Sequence, residues 1–452
     1  MKNVLMIAYN YPPLAGMGML RSLKFAKYLP HFGWRPTILT LSTSATKQIQ
    51  SQYWLCDEAE GNLPGVEIIR SNFLSINSLR RYFFTTPTSS NQASRFSPAI
   101  NNTSSYQMLR NFLSYIWNQW VLFPDGVIGW YPFAVKKAID YINTNNIDLI
   151  FSTSLPATAH IIANKISKKT GIPWVADFRD PWSQPHYKST SKLRTQADKI
   201  LQLRTLRRAN ALITVSEPLR QNLLRIHKQF VNESYVIHNG YDCEDYLHQD
   251  QNKTHLFNIV FTGRMYDIDF KRTHRNPRLL FEALEELFKE AKLDPTKVRF
   301  DIYGEYPIQL GEMISKFQLQ ESVKCLDPVP FKESFIVQQN ATILLLLTWA
   351  DSDYEGILTG KLFEYLGARK PILAIPSYNT GVSQILHNTQ AGVIITNRSE
   401  LKQQLYKWYQ EFVREGKVIY RGVQSEIEKF SRERATQDLS QIFDNVSATC
   451  KK

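Results

Sequence analysis

Short apolar runs alternate with segments of helical period along most of the chain. In the first half, runs at 4–8, 37–41, 148–152, 174–177, 211–215 and 236–238 are predicted to be buried strands. Helical spacing falls at 19–29, 157–169, 199–208 and 218–226. The second half repeats the rhythm, with strands predicted at 259–262, 300–303, 343–347, 372–375 and 393–395. Its helices are predicted at 277–289, 360–368, 381–386 and 400–412. Such alternation builds parallel sheets covered by helices, the doubly wound α/β arrangement.

The pattern breaks at 242–255, a polar stretch without apolar period, which places a domain boundary there. Residues 1–245 and 256–422 are therefore expected to be two domains, followed by a long helical pattern at 423–443 within a terminal segment 423–452. Residues 85–106, rich in Ser, Asn, Thr and Pro, are expected to be a flexible insertion. At 108–122, Leu109, Phe112, Leu113, Ile116, Trp117 and Trp120 crowd one side of a predicted helix. That side suits core packing or, alternatively, contact with a membrane that carries a lipid-linked acceptor.

At 452 residues the chain is too long for one ordinary core, and its apolar share of 43% is that of a globular protein. Cys56, Cys243, Cys325 and Cys450 are far apart and form neither a disulfide framework nor a zinc spacing. Scattered thiols fit a reducing cytoplasm. No apolar run is long enough to cross a membrane, and the first one is too short for a secretion signal. A net charge of +13 favours anionic partners. The basic residues are dispersed rather than gathered in a stripe, which counts against nucleic acid.

Two tandem doubly wound domains offer a cleft at the carboxyl ends of their strands, where helix N-termini converge on ligands. Four loops are placed to serve it. The first runs from Asp351 through Glu355 and Gly356 to Thr359, and meets a helix beginning at Gly360, Lys361, Leu362 and Glu364. The amides of a first helical turn suit a diphosphate, Lys361 adds a charge, and Glu364, one turn in, suits ribose hydroxyls. In the second loop Gly263 and Arg264 follow a strand, with Lys271, Arg272 and Arg275 close behind. The third carries Gly16 and Gly18 but lacks the third glycine of a dinucleotide fingerprint, which disfavours a dehydrogenase. The fourth holds Asp177, Arg179, Asp180 and Trp182. The pairs Asp351 with Asp353 and Asp267 with Asp269 have spacing that suits magnesium, yet a cationic helix terminus makes a metal unnecessary, and neither metal nor cofactor is expected.

Taken in order, these motifs resemble the retaining glycosyltransferases of family 4, with the GT-B fold, over nearly the whole chain. Tyr11-Pro12-Pro13 with Gly16, Gly18 and Arg21 is similar to that family's first glycine loop, and Asn239-Gly240-Tyr241-Asp242 to the turn ending its first domain. Thr262-Gly263-Arg264 and Gly360-Lys361-Leu362-Phe363-Glu364 are similar to its donor motifs, and 177–182 to a bacterial surface-polysaccharide subgroup. The resemblance implies two Rossmann-like domains facing a cleft, the first binding the acceptor and the second the nucleotide sugar, with the terminal helix crossing back to the first. It implies Arg264 and Lys361 as diphosphate ligands, with Lys271, Arg272 and Arg275 competing for a further cationic place, and Glu364 as the ribose ligand. The family's paired glutamate would fall at Gly356, one residue from Glu355, and its usual histidine at Thr153, with His160 nearby.

The expected function is therefore transfer of a sugar, with retention, from a nucleotide sugar to a hydroxyl of a glycan or lipid-linked acceptor, in polysaccharide biosynthesis. The setting would be cytoplasmic, in peripheral contact with the inner face of a membrane. Expected catalytic residues are Arg264, Lys361 and Asp180, the last as a candidate base. Expected donor-binding residues are Gly16, Gly18, Gly263, Arg264, Arg275, Glu355, Gly356, Thr359, Gly360, Lys361, Leu362 and Glu364. A sugar-nucleotide epimerase and a non-catalytic GT-B scaffold are the alternatives.

Overall fold

The computed structural model describes residues 1–14, 17–49, 61–76, 113, 116–180, 182–183, 191–246, 255–265, 276–348, 358–375 and 380–449. The insertion expected at 85–106 lies outside them. The chain forms two compact units: Met1–Thr214 with Arg220–Val236 and Leu439–Lys452, and Val215–Leu219 with Ile237–Asp438.

The first unit is built on a parallel sheet of seven strands. These are β1 (Lys2–Ile7), β2 (Trp34–Leu41), β3 (Glu67–Ser71), β4 (Leu149–Ser154), β5 (Trp174–Phe178), β6 (Ala211–Thr214) and β7 (Ser234–Val236), in the order β3-β2-β1-β4-β5-β6-β7. Central strands buried on both faces read as continuous apolar runs, and β4 is buried along its whole length. The strand order reverses between β1 and β4, which creates a topological switch point at their carboxyl ends. The last helix, Arg432–Thr449, contributes Phe443 to this unit, edge-on to Trp34 at 5.3 Å and to Phe151 at 5.6 Å.

The second unit has a parallel sheet of six: β8 (Phe257–Thr262), β9 (Val298–Tyr303), β10 (Val323–Leu326), β11 (Ile343–Leu347), β12 (Ile372–Ile375) and β13 (Gly392–Ile394), in the order β10-β9-β8-β11-β12-β13. Its switch point lies between β8 and β11. On one face the helix Arg278–Lys289 buries Leu280, Phe281, Ala283, Leu284 and Leu287. Its other side carries Glu286, which pairs with Arg398 and Lys402 of the helix Arg398–Glu415. The helix Gly360–Ala368 covers the opposite face with Leu362, Phe363, Tyr365 and Leu366.

The expected fold class of two Rossmann-like units holds, and the elements differ from expectation in instructive places. Edge strands β3 and β10 escape a search for apolar runs because Glu67, Arg70 and Ser71 are polar in the first and the second is four residues long and broken by Lys324. The helix expected at 199–208 is Lys192–Leu206, with Ser191 as its N-cap. Its buried side is mostly polar, so apolar periodicity does not reveal its first half. The single pattern at 423–443 is two helices, Gln424–Glu428 and Arg432–Thr449, interrupted where the Tyr241 and Ser431 backbones bridge. Within 108–122 the described residues include the π-helix Trp117–Val121, and Leu113, Ile116 and Trp120 are exposed. The core-packing reading is therefore corrected at these three residues, while Leu109 and Phe112 lie outside the described residues.

Candidate functional site

The chemistry expected of the second unit gathers at its β8/β11 switch point. β8 ends at Thr262, and Gly263 follows at φ +129°, a conformation that favours glycine. Its N–H donates to the Tyr303 carbonyl at 2.7 Å. A Cβ on Gly263 would overlap the Lys361 side chain, and one on Gly304 (φ +139°) would overlap the Gly263 carbonyl. Both positions favour glycine by their backbone conformation, and at Gly304 the turns after β8 and β9 also press backbone to backbone, while Lys361 lies across the first turn. Lys361 Nζ stands 5.8 Å from the Phe261 ring centroid.

Lys361 is in the first turn of the helix Gly360–Ala368. Thr359 precedes it in extended conformation and makes no side-chain cap, and the first turn holds no acid. The positive end of this helix is not neutralised by a carboxylate of its own. The helix Thr158–Thr170 of the first unit is a useful contrast, since Asp125 accepts from the Thr158 N–H at 2.9 Å and from its hydroxyl at 2.7 Å. Arg264 is exposed, with Nε 3.1 Å from Glu305 Oε2. An exposed pair of this kind contributes about 1 kcal/mol or less, so it yields readily to a stronger anion.

Glu364 lies one turn further in and is held by two hydrogen bonds, one to its carboxylate and one to its carbonyl. Gln338, fully buried on the helix Phe331–Gln339, donates from Nε2 to Glu364 Oε2 at 3.3 Å and to Thr262 Oγ1 at 3.1 Å. The Tyr246 hydroxyl donates to the Glu364 carbonyl at 2.7 Å, and the Thr262 N–H donates to the Tyr365 hydroxyl at 3.3 Å. The helix is thereby keyed to the end of β8. Burial raises the Glu364 pKa, and Lys361, the Gln338 hydrogen bond and Arg432 oppose that rise.

Gly263, Arg264, Thr359, Gly360, Lys361, Leu362 and Glu364 thus share one region of the second unit. Within this group Leu362 is fully buried and serves packing. Gly16, Arg275, Glu355 and Gly356 lie outside the described residues, as do Lys271, Arg272 and both Asp-x-Asp pairs. Gln338, Tyr246 and Glu305 were not foreseen. A glutamine in a polar run ahead of a strand carries no distinctive signal in one sequence.

In the first unit the charged loop serves structure. Asp177 is fully buried and takes a two-point bond from Arg21, Nε to Oδ2 at 3.0 Å and Nη2 to Oδ1 at 2.8 Å, plus the Thr153 hydroxyl at 2.8 Å. Neither Asp177 nor Arg21 is available to a ligand. Arg179 donates to the Ser154 and Leu155 carbonyls, both at 2.7 Å. A Cβ on Gly18 would overlap the Arg179 guanidinium, so Arg179 accounts for a glycine at that position. Asp180 is partly buried and adjoins this arginine in sequence. His160 is a core residue, with Nδ1 2.7 Å from Ser152 Oγ and its ring 4.5 Å from that of Phe178. Burial lowers its pKa to about 3.

Comparison with known proteins follows this geometry. Residues 110–245 match the model of Glycosyltransferase Family 4. No curated protein matches the chain in sequence. Among solved structures, the chain is similar to a glycosyltransferase from Rickettsia africae (TM-score 0.60, 14% identity, 98% of each chain covered). It is also similar to HepE of Anabaena in complex with UDP and glucose (TM-score 0.59, 15% identity, 98% of this chain and 100% of that one). A third is the sucrose-phosphate synthase of Thermosynechococcus elongatus (TM-score 0.61, 12% identity, 99% and 100%). At these identities the likeness is one of fold along the full length. The protein is thus a GT-B chain whose residues 110–245 carry the match to glycosyltransferase family 4.

Proposed function

We propose that the protein moves a sugar from a nucleotide-diphosphate donor to a hydroxyl of a glycan or lipid-linked acceptor, with retention at the anomeric carbon, in polysaccharide biosynthesis. One observation carries this reading: a helix start at Gly360 to which Thr359 gives no side-chain cap, with Lys361 laid across Gly263 and Glu364 held one turn further in. The leaving diphosphate gathers negative charge as the glycosidic bond breaks. Arg264, Lys361 and the helix terminus are preorganised to meet that charge, and the Glu364 carboxylate suits two ribose hydroxyls. Asp180 is the candidate base. The match to family 4 and the UDP complex of the similar HepE support a nucleotide donor. No step in this reading needs a metal or cofactor. The setting is cytoplasmic, in peripheral contact with the inner face of a membrane.

The test is titration with nucleoside diphosphates and their sugars, followed by calorimetry and thermal unfolding. A binding nucleotide at a hundredfold excess over Kd should stabilise the protein by about 2.7 kcal/mol, and Lys361→Ala should weaken it by about tenfold or more. Absence of binding by every nucleoside diphosphate would sink the proposal. With labelled donor, appearance of label in an acceptor with the donor's anomeric configuration supports retaining transfer. Donor that only changes stereochemistry would instead mark an epimerase, and bound donor that never reacts would mark a scaffold.

A further inference from the structure

The helix Lys192–Leu206 is patterned the reverse of an ordinary covering helix. Its buried residues are Arg194, Asp198, Gln202, Thr205 and Leu206, all polar except the last. Two polar pairs lie inside: Arg194 Nε donates to Asp198 Oδ2 at 2.8 Å, and Gln202 Nε2 stands 3.1 Å from His227 Nε2. The opposite side carries Leu193 at 75% and Ile200 at 48% exposure. Lys192, Lys199, Arg204 and Arg207 are exposed around them. At the angular step of an α-helix, these six positions fall within a sector of about 140°. Asp198 is the only acid in this helix, and it is buried, so that sector has none.

The buried side of the same helix holds a second segment with exposed apolar groups. Arg194 donates from Nη1 to the Gln119 carbonyl and from Nη2 to the Pro124 carbonyl at 2.5 Å, and its guanidinium lies 4.6 Å from the Phe123 ring centroid. In the segment so attached, Trp120 is 44% exposed and Ile116 and Val121 are exposed beside it. From Leu113 to Phe123 there is no charged residue.

Exposed aliphatic side chains ringed by cations, with an exposed indole on a segment that the same helix holds, are the make-up of a surface that lies in a lipid interface. The apolar groups enter the acyl boundary while the long cationic side chains reach headgroup phosphates. We infer that this face of the first unit docks on an anionic lipid surface, with Leu193, Ile200 and Trp120 inserted and Lys192, Lys199, Arg204 and Arg207 on the headgroups. The charge of the whole chain, +13, complements the same surface. The inference rests on the membrane contact proposed above and is independent of the transfer chemistry.

The test is flotation of the full chain with phosphatidylcholine vesicles and with vesicles that also contain phosphatidylglycerol, at low and high salt, with nucleoside diphosphate binding measured in parallel. The chain should float with the anionic vesicles and be released by salt. Leu193→Ser with Ile200→Ser should lower vesicle affinity about tenfold or more, and Lys192→Glu with Lys199→Glu should remove the preference for the anionic lipid. Both pairs should keep the melting temperature and nucleotide affinity of the parent. Failure of the parent chain to float with anionic vesicles overturns the inference, as does equal flotation of folded variants or self-association through this face in place of lipid binding. Lipid docking without any nucleotide binding would sink the transfer reading and leave the docking intact.

Discussion

In the proposed reading, Glu364 serves binding against stability. Burial raises its pKa from the ordinary 4.5, so the fold favours the protonated form. The sign follows from linkage: a raised folded-state pKa contributes stability below the unfolded value, and that contribution is lost as pH rises through the folded one. Near neutrality the ionised carboxylate therefore weighs against the ligand-free fold. Glu364→Gln keeps an oxygen for Gln338 and should raise the melting temperature at pH 7, with the gain shrinking as pH falls toward the ordinary 4.5 and absent below it. It should also weaken nucleotide binding about tenfold or more, because hydrogen bonds to a charged acceptor are the stronger ones. A variant no more stable than the parent at pH 7 would contradict this account. At this scale, the grouping of Gly263, Lys361 and Glu364 at one strand end and one helix start was readable from the sequence, because those elements constrain their surroundings. The Arg21–Asp177 bond was not, since 156 positions separate its partners.

Among elements, that bond fastens the helix Met17–Tyr28 to β5. Both side chains are fully buried, so removing one leaves a charge without its counterpart. Arg21→Met should cost about 3–5 kcal/mol in urea unfolding, and adding Asp177→Leu should recover most of that loss. A loss no larger than that of an exposed pair would refute the assignment. Central strands such as β11 were readable because burial on both faces writes a continuous apolar run, Ile343 to Leu347. The helix Lys192–Leu206 was readable only in part, because side-chain pairs on its inner face replace the apolar stripe that pattern reading seeks.

For the molecule as a whole, acid lability should come from histidines held neutral in the interior. Burial lowers His160 to about 3 and His227 to about 4, from an ordinary 6.5. A depressed folded-state pKa gives stability that is present above the unfolded value and lost as pH falls toward the folded one. At pH 5 each should cost about 2 kcal/mol relative to pH 7. The variant His160→Gln with His227→Gln should be less stable at pH 7 but lose less between the two pH values. Equal losses in parent and variant, measured by urea unfolding, would dismiss the idea.

The first sheet is not completed by the first part of the chain. Phe443 closes over Trp34 and Phe151, and residues from Leu439 onward belong to that unit. Synthesis runs from the N-terminus, and domains ordinarily fold as they emerge. Here the earliest strands must wait for nearly the last residues to leave the ribosome, with an aromatic patch open in the meantime. A fragment that stops before Leu439 should carry that patch permanently. The second unit's strands and helices all emerge during the wait, so it has the shorter route to a finished core.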